Sequence, residues 1–360
     1  EAIPTKAANL LKQTFLAKGA EVAVNRGTAD LSLEKTDVLI CATLKQYHQA
    51  LAQLRQQPWG LPGIADAVSK VLENAFHPVC RNYEKCKPIW SVDPGKTLVM
   101  GILNLTPDSF SDGGQYNGLE AAIEHVREMI ADGADMIDVG AESTRPYGGM
   151  EKIPVEEEIR RLMPVLEKIL PIVTVPVSID TYKSEVAAMA LSYGAHIIND
   201  IWGLQQDPAM AAVVAWHRAP VIVMHNRLTT ESRRDIMAEL ADFFGRSLDI
   251  GLQAGISPDQ FIIDPGIGFG KTQSQNLEIM GRLAELKCLG CPILVGTSRK
   301  RFIGDILGLP AEDRDEGTGA TLVHAIINGA SIVRVHNVRM AARMTKMTDA
   351  LQGWRRNSHG

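Results

Sequence analysis

Met100-Gly-Ile-Leu-Asn104-Leu-Thr-Pro-Asp-Ser-Phe110-Ser-Asp-Gly-Gly114 decides the fold. The apolar run Leu98 to Leu103 reads as a strand that ends in Asn104 and then enters a polar loop closed by glycines. The pattern recurs seven times, with polar or charged strand ends at Asp138 through Thr144, Asp180, Asn199, His225, Asp264, Ser298 to Lys300, and Arg334 with His336. The candidate strands are 97–103, 135–140, 176–181, 195–200, 220–225, 260–264, 292–297 and 331–335. Most are continuous Val/Ile/Leu-rich runs, as expected of parallel strands buried on both faces. Amphipathic helices are expected near 119–132, 155–170, 183–192, 208–217, 235–254, 274–287, 315–329 and 338–351. Gly133, Gly194, Gly255 and Gly329 sit where helices stop. Eight strand–helix units predict an α/β fold, a closed (β/α)8 TIM barrel whose strand ends share one face and carry the site. A doubly wound sheet is the weaker alternative, because no G-x-G-x-x-G follows the first strand.

At 360 residues the chain exceeds a barrel of about 250 residues, so something is added. Three parts are expected: a small N-terminal α/β or α+β domain over 1–78, a linker over 79–96 rich in Pro, Lys and aromatics, and the barrel over 97–360. Within the first part, Thr5–Lys18, Lys45–Gln57 and Leu61–Asn74 read as helices, and Glu21–Val24 and Asp37–Cys41 as strands. The apolar faces of the last two helices (Leu44, Leu51, Leu54; Ile64, Val68, Val71, Leu72) must be covered, which points to packing on the barrel or a second subunit. No chemistry is evident there. A formal net charge of −5 argues against a nucleic-acid or membrane-surface binder. No apolar run approaches the ~20 residues of a membrane span. Five cysteines, an odd number, fit a reducing cytoplasm better than a disulfide framework. Cys288 and Cys291 with Cys80 and Cys86 could hold Zn2+ on the face opposite the site, but ordinary free thiols are the favoured reading.

Asp138, Asp180, Asn199 and Asp264 place three acids and an amide at strand ends. Carboxylates at that depth are costly without donors. A flat ligand with several N–H groups, such as an aminopyrimidinone, would satisfy them, because one carboxylate can accept two parallel N–H bonds. Asn104, Arg145, Lys300, Arg334 and His336 form a second, anion-seeking group. Strands one and eight are neighbours in a closed barrel, so Asn104, Arg334 and His336 can surround a pyrophosphate and its Mg2+. Asp264-Pro-Gly-Ile-Gly-Phe-Gly-Lys271 lacks the spacing of a P-loop. Its glycines are expected to make tight turns beside a ligand, with Phe269 facing it.

Together these motifs resemble the dihydropteroate synthase family, the folate-pathway enzymes that sulfonamides inhibit. The likeness covers about residues 95–352. It is carried by Met100–Gly114, Asp138-Val-Gly-Ala-Glu-Ser-Thr-Arg-Pro146, Val177-Ser-Ile-Asp-Thr181, Ile198-Asn-Asp-Ile201, Asp264–Lys271, Thr297-Ser-Arg-Lys300 and Arg334-Val-His336. The resemblance implies a cytoplasmic, homodimeric transferase using Mg2+. Its reaction would condense 6-hydroxymethyl-7,8-dihydropterin pyrophosphate with p-aminobenzoate. It also implies roles. Asp180, Asn199, Ile201, Met224, Asp264, Lys300 and Arg334 face the pterin. Asn104, Arg334 and His336 face the pyrophosphate, with Asn104 on the metal. Thr144, Arg145, Pro146, Phe269 and Ser298 face p-aminobenzoate, and Thr106, Asp108 and Phe110 lie on the first loop. Asp180, Lys300, Arg334 and His336 are the catalytic expectations. The loops 105–117 and 145–152 are expected to order only with both substrates. Tyr147 after Pro146, and Asn226-Arg227 after His225, depart from the family pattern. A methyltetrahydrofolate–corrinoid methyltransferase has a similar barrel but needs neither the Thr106–Gly114 loop nor Ser298-Arg-Lys300. A non-catalytic pterin-binding regulator would need no anion pocket.

Overall fold

The computed structural model describes residues 2–77, 79–83, 90–105, 114–142, 152–230 and 234–357, with the backbone alone at 114–117 and 354–357. The chain divides into two compact units, Glu1–His77 and Pro78–Gly360.

In the first unit, helices Thr5–Leu16, Leu44–Leu54 and Leu61–Phe76 accompany an antiparallel ribbon of Glu21–Val24 and Val38–Cys41. Thr43 starts the second helix with a capping box: the Gln46 amide N–H donates to Thr43 Oγ1 and the Thr43 N–H to Gln46 Oε1. Phe15, Leu51, Leu54, Leu61 and Ala65 meet in the unit's own core, with Ile64, Val68 and Leu72 packed against it. Most of the two apolar faces is therefore covered inside the unit, and the inference that they need an outside partner does not hold. Leu44 and Val71, on the same faces, remain exposed.

The second unit contains eight parallel strands: Leu98–Asn104, Met136–Gly140, Val177–Asp180, Ile197–Asp200, Val221–Met224, Phe261–Asp264, Leu294–Val295 and Ile332–Val335. Each pairs with the next, the eighth returns to the first, and a bridge between Ile263 and Ile293 joins the sixth to the seventh. That closes the ring of a (β/α)8 barrel. Buried residues fill nearly every strand position, as expected when helices cover the outside and side chains fill the inside.

Three helical segments depart from expectation. The helix expected at 119–132 begins already at Gly114. The one expected at 274–287 breaks at Arg282 into Gln273–Gly281 and a 3-10 segment, Leu283–Leu289. A further helix, Arg301–Leu307, follows strand seven. At seven residues with Gly304 inside, it is too short to show a period.

The stretch expected as linker also folds. Arg81–Tyr83 and Trp90–Val92 pair as an antiparallel hairpin. Tyr83 and Trp90 stack with ring centroids 3.9 Å apart. They pack on Leu98, Met136, Ile197, Leu294 and Ile332 at the starts of the strands. The hairpin is thus the floor of the barrel.

Candidate active site

Strands two, three, four, six and eight bring their polar termini together at the other end. The Arg334 guanidinium is the hub. Its Nε donates to Asp138 Oδ2 at 2.6 Å and its Nη2 to Asp180 Oδ2 at 2.9 Å. Asn199 Nδ2 donates to the same Asp138 oxygen at 3.1 Å. Asp138 Oδ1, Asp180 Oδ1 and Asn199 Oδ1 are buried and have no partner among the described residues. Buried polar atoms are normally paired, and each orphan costs about 1–3 kcal/mol. Three on adjacent strands mark a place built for a donor-rich guest.

The electrostatics follow from burial. Burial pushes the Asp180 carboxyl up to about 7, against the pull of Arg334 and with help from Asp138. Asp264 is raised by burial as well, although Lys300 opposes it and the Gly266 N–H donates to its Oδ1 at 2.7 Å. Burial lowers Lys300 to about 8 against the pull of Asp264. Lys300 donates to the Ile267 carbonyl and sits 4.7 Å from the centroid of the Phe269 ring. Tyr182, Ile201 and Met224 form a small apolar cluster with Trp202 and Phe269 beside it. The turn that delivers Ile201 is held by Asp200, whose carboxylate accepts the Trp202 and Leu204 N–H groups at 2.8 and 2.7 Å.

The glycine-rich loop after strand six is tight for a steric reason. A Cβ on Gly266 (φ +64°) would stand 2.0 Å from the His225 carbonyl, and one on Gly270 (φ +57°) 2.2 Å from that of Arg227. Lys271 folds back into the loop and donates to the carbonyls of His225, Gly266 and Phe269 at 3.2, 2.9 and 3.0 Å. It is buried and structural. Arg227, one of the departures from the family pattern, ties this loop down through Gly270 O, both oxygens of Glu239, and Gln275.

Ser298, expected beside p-aminobenzoate, lies against His336: its Oγ is 3.0 Å from His336 Nδ1 and accepts the His336 N–H at 3.2 Å. Asn104 ends strand one on the mouth side. Arg334 faces the two carboxylates of Asp138 and Asp180. Thr106, Asp108, Phe110, Thr144, Arg145 and Pro146 lie outside the described residues. Cys80, Cys288 and Cys291 form no disulfide among the described residues, burial raises Cys291 to about 11, and Cys86 lies outside the described residues. Sequence reasoning missed that Asp138 is the seat of Arg334 and Asn199. The signal for it was depth, since Asp138 stands third in the strand Met136–Gly140, among buried residues.

A family model described as pterin binding enzyme matches residues 100–336. The chain belongs to the dihydropteroate synthase family. It is 52% identical over 256 residues to dihydropteroate synthase of Bacillus subtilis, covering 71% of this chain and 89% of that one. A dihydropteroate synthase from Clostridium difficile, solved in the presence of pteroic acid, superposes with a TM-score of 0.69 at 47% identity over 71% of this chain and 97% of that one. The Xanthomonas albilineans enzyme with 4-aminobenzoic acid gives 0.71 at 38% identity over 77% and 99%. A probable bifunctional folylpolyglutamate synthase/dihydropteroate synthase of Haloferax volcanii is 39% identical over 350 residues, which cover 93% of this chain and 41% of that protein. Its match therefore extends into Glu1–His77.

Proposed function

We propose that the chain condenses 6-hydroxymethyl-7,8-dihydropterin pyrophosphate with p-aminobenzoate, giving 7,8-dihydropteroate and pyrophosphate. The observation that carries this reading is the set of three unpartnered oxygens on Asp138, Asp180 and Asn199. A pterin brings N–H donors along one edge, and its flat faces suit the apolar cluster of Ile201 and Met224. Asp264 and Asn199 take the pterin edge. Lys300 borders the ring, and Phe269 beside it faces p-aminobenzoate. Ionising the pterin CH2–O bond leaves a delocalised cation, and the Asp180 carboxylate stabilises it as it forms. Arginine has five N–H donors. Two hold Asp138 and Asp180, and the others are available to the departing pyrophosphate together with His336. The arylamine then attacks from the side of Thr144, Arg145 and Pro146, with water excluded from the cation.

Mg2+ fits the donor set in one sense. Among the described residues there is no group of three or more His, Cys, Asp or Glu side chains that would cage an ion. An ion held mainly by water and phosphate oxygens, with the Asn104 carbonyl as the protein ligand, needs none. Bound there, it would neutralise charge on the leaving group. We further propose a cytoplasmic homodimer, as the family resemblance implies; no helix among the described residues is long and apolar enough to cross a membrane. The deciding experiment is release of pyrophosphate with both substrates, with and without Mg2+. Release that requires both substrates is expected, and its absence overturns the reading.

A further inference from the structure

One buried ion cluster takes no part in these steps. Lys183 lies just past the end of strand three. Its Nζ donates to Glu142 Oε2 at 2.5 Å, to the Ile153 carbonyl at 2.7 Å and to Glu158 Oε2 at 2.6 Å. The two glutamate side chains are only 3% and 1% exposed and the lysine 14%. Tyr182 OH donates to the other Glu142 oxygen at 2.8 Å, while its ring packs with Ile201 and Met224.

Glu142 stands at the start of the loop after strand two, and Ile153 stands at its end, ahead of the helix Val155–Ile169 that bears Glu158. One ammonium therefore ties the two feet of that loop to each other. Two buried carboxylates on one cation are a weak source of stability, since apolar residues of similar volume usually do as well or better. What the cluster fixes is geometry. We propose that Lys183 is a positioning residue for p-aminobenzoate: by holding Glu142 and Ile153 it sets the footing of the loop that carries Thr144, Arg145 and Pro146. This rests on the proposed function, specifically on that loop serving the arylamine.

The test is steady-state kinetics of the full chain with each substrate varied in turn. Lys183→Met is expected to raise KM for p-aminobenzoate at least tenfold and KM for the pterin pyrophosphate by no more than about twofold. Because Lys183→Met strands two buried carboxylates and can fail to fold, Glu158→Gln is the second variant. It leaves one cation on one carboxylate and is expected to shift the same KM about threefold. Equal shifts in both KM values, or a lowered Tm with both unchanged, make the cluster purely structural and overturn the proposal. If the wild type turns over no such pair, the functional reading fails separately. The anchor is then judged by amide exchange over residues 141–153, where exchange in Glu158→Gln no faster than wild type overturns it.

Discussion

The two ends of one barrel solve opposite problems with the same strands. At the floor, Leu98, Met136, Ile197, Leu294 and Ile332 meet the stacked Tyr83 and Trp90 in one apolar cluster. Toward the mouth, the strands present Asp138, Asp180, Asn199, Asp264 and Arg334, with three of their oxygens lacking a partner among the described residues. A four-residue strand such as Phe261–Asp264 passes from one regime to the other. The floor buries mainly carbon, and the mouth buries charge. The difference separates what holds the fold from what meets a ligand.

The largest effect expected from breaking that contrast is at the mouth. Asp180→Asn should lower kcat/KM about 1000-fold or more, about 4 kcal/mol, and move Tm by no more than a few degrees. A variant with near wild-type kcat/KM would remove Asp180 from the chemistry. At the floor the reverse is expected. Trp90→Ala should cost about 3 kcal/mol of stability, read by denaturant unfolding, while kcat/KM at about 20 °C stays within about twofold.

A subtler effect concerns pH. Asp180 is charged above about 7 and Lys300 below about 8. If both charges are needed, kcat/KM falls on the acid side as Asp180 gains its proton and on the alkaline side as Lys300 loses its own. Asp138→Asn removes the like charge that raises Asp180 and leaves Arg334 to it alone. The acid limb should therefore move to lower pH while the alkaline limb stays. An unmoved acid limb would assign it to another group. The smallest effect is expected from deleting residues 1–78: a chain beginning at residue 79 keeps the floor hairpin and should keep kcat within about twofold. A start near residue 88 removes Arg81–Tyr83 and should melt earlier.

The barrel was legible because its eight strands are apolar runs at regular spacing. The mouth was legible because an acid closing such a run is costly unless a ligand or a cation meets it. The hairpin was not legible. Strands of three residues, Arg81–Tyr83 and Trp90–Val92, carry no alternation to detect, and Pro and Lys nearby read as linker. Nor was the pairing of Arg334 with Asp138 and Asp180, 196 and 154 residues away, because ring closure decides which strand ends face one another. The contact of the Ser298 hydroxyl with His336 was likewise hidden, because it joins the end of strand seven to the end of strand eight, 38 residues on.

The lowered proton affinity of Lys300 has a chemical corollary. Burial lowers the proton affinity of Lys271 as well, but Lys300 is half-buried, whereas Lys271 is 1% exposed and enclosed by three carbonyls. Two lysines in one neighbourhood thus differ in accessibility rather than in the direction of their titration. If Lys300 borders the pterin as proposed, a bound pterin should slow its acylation, while Lys271, enclosed in its own loop, should stay unlabelled with or without it.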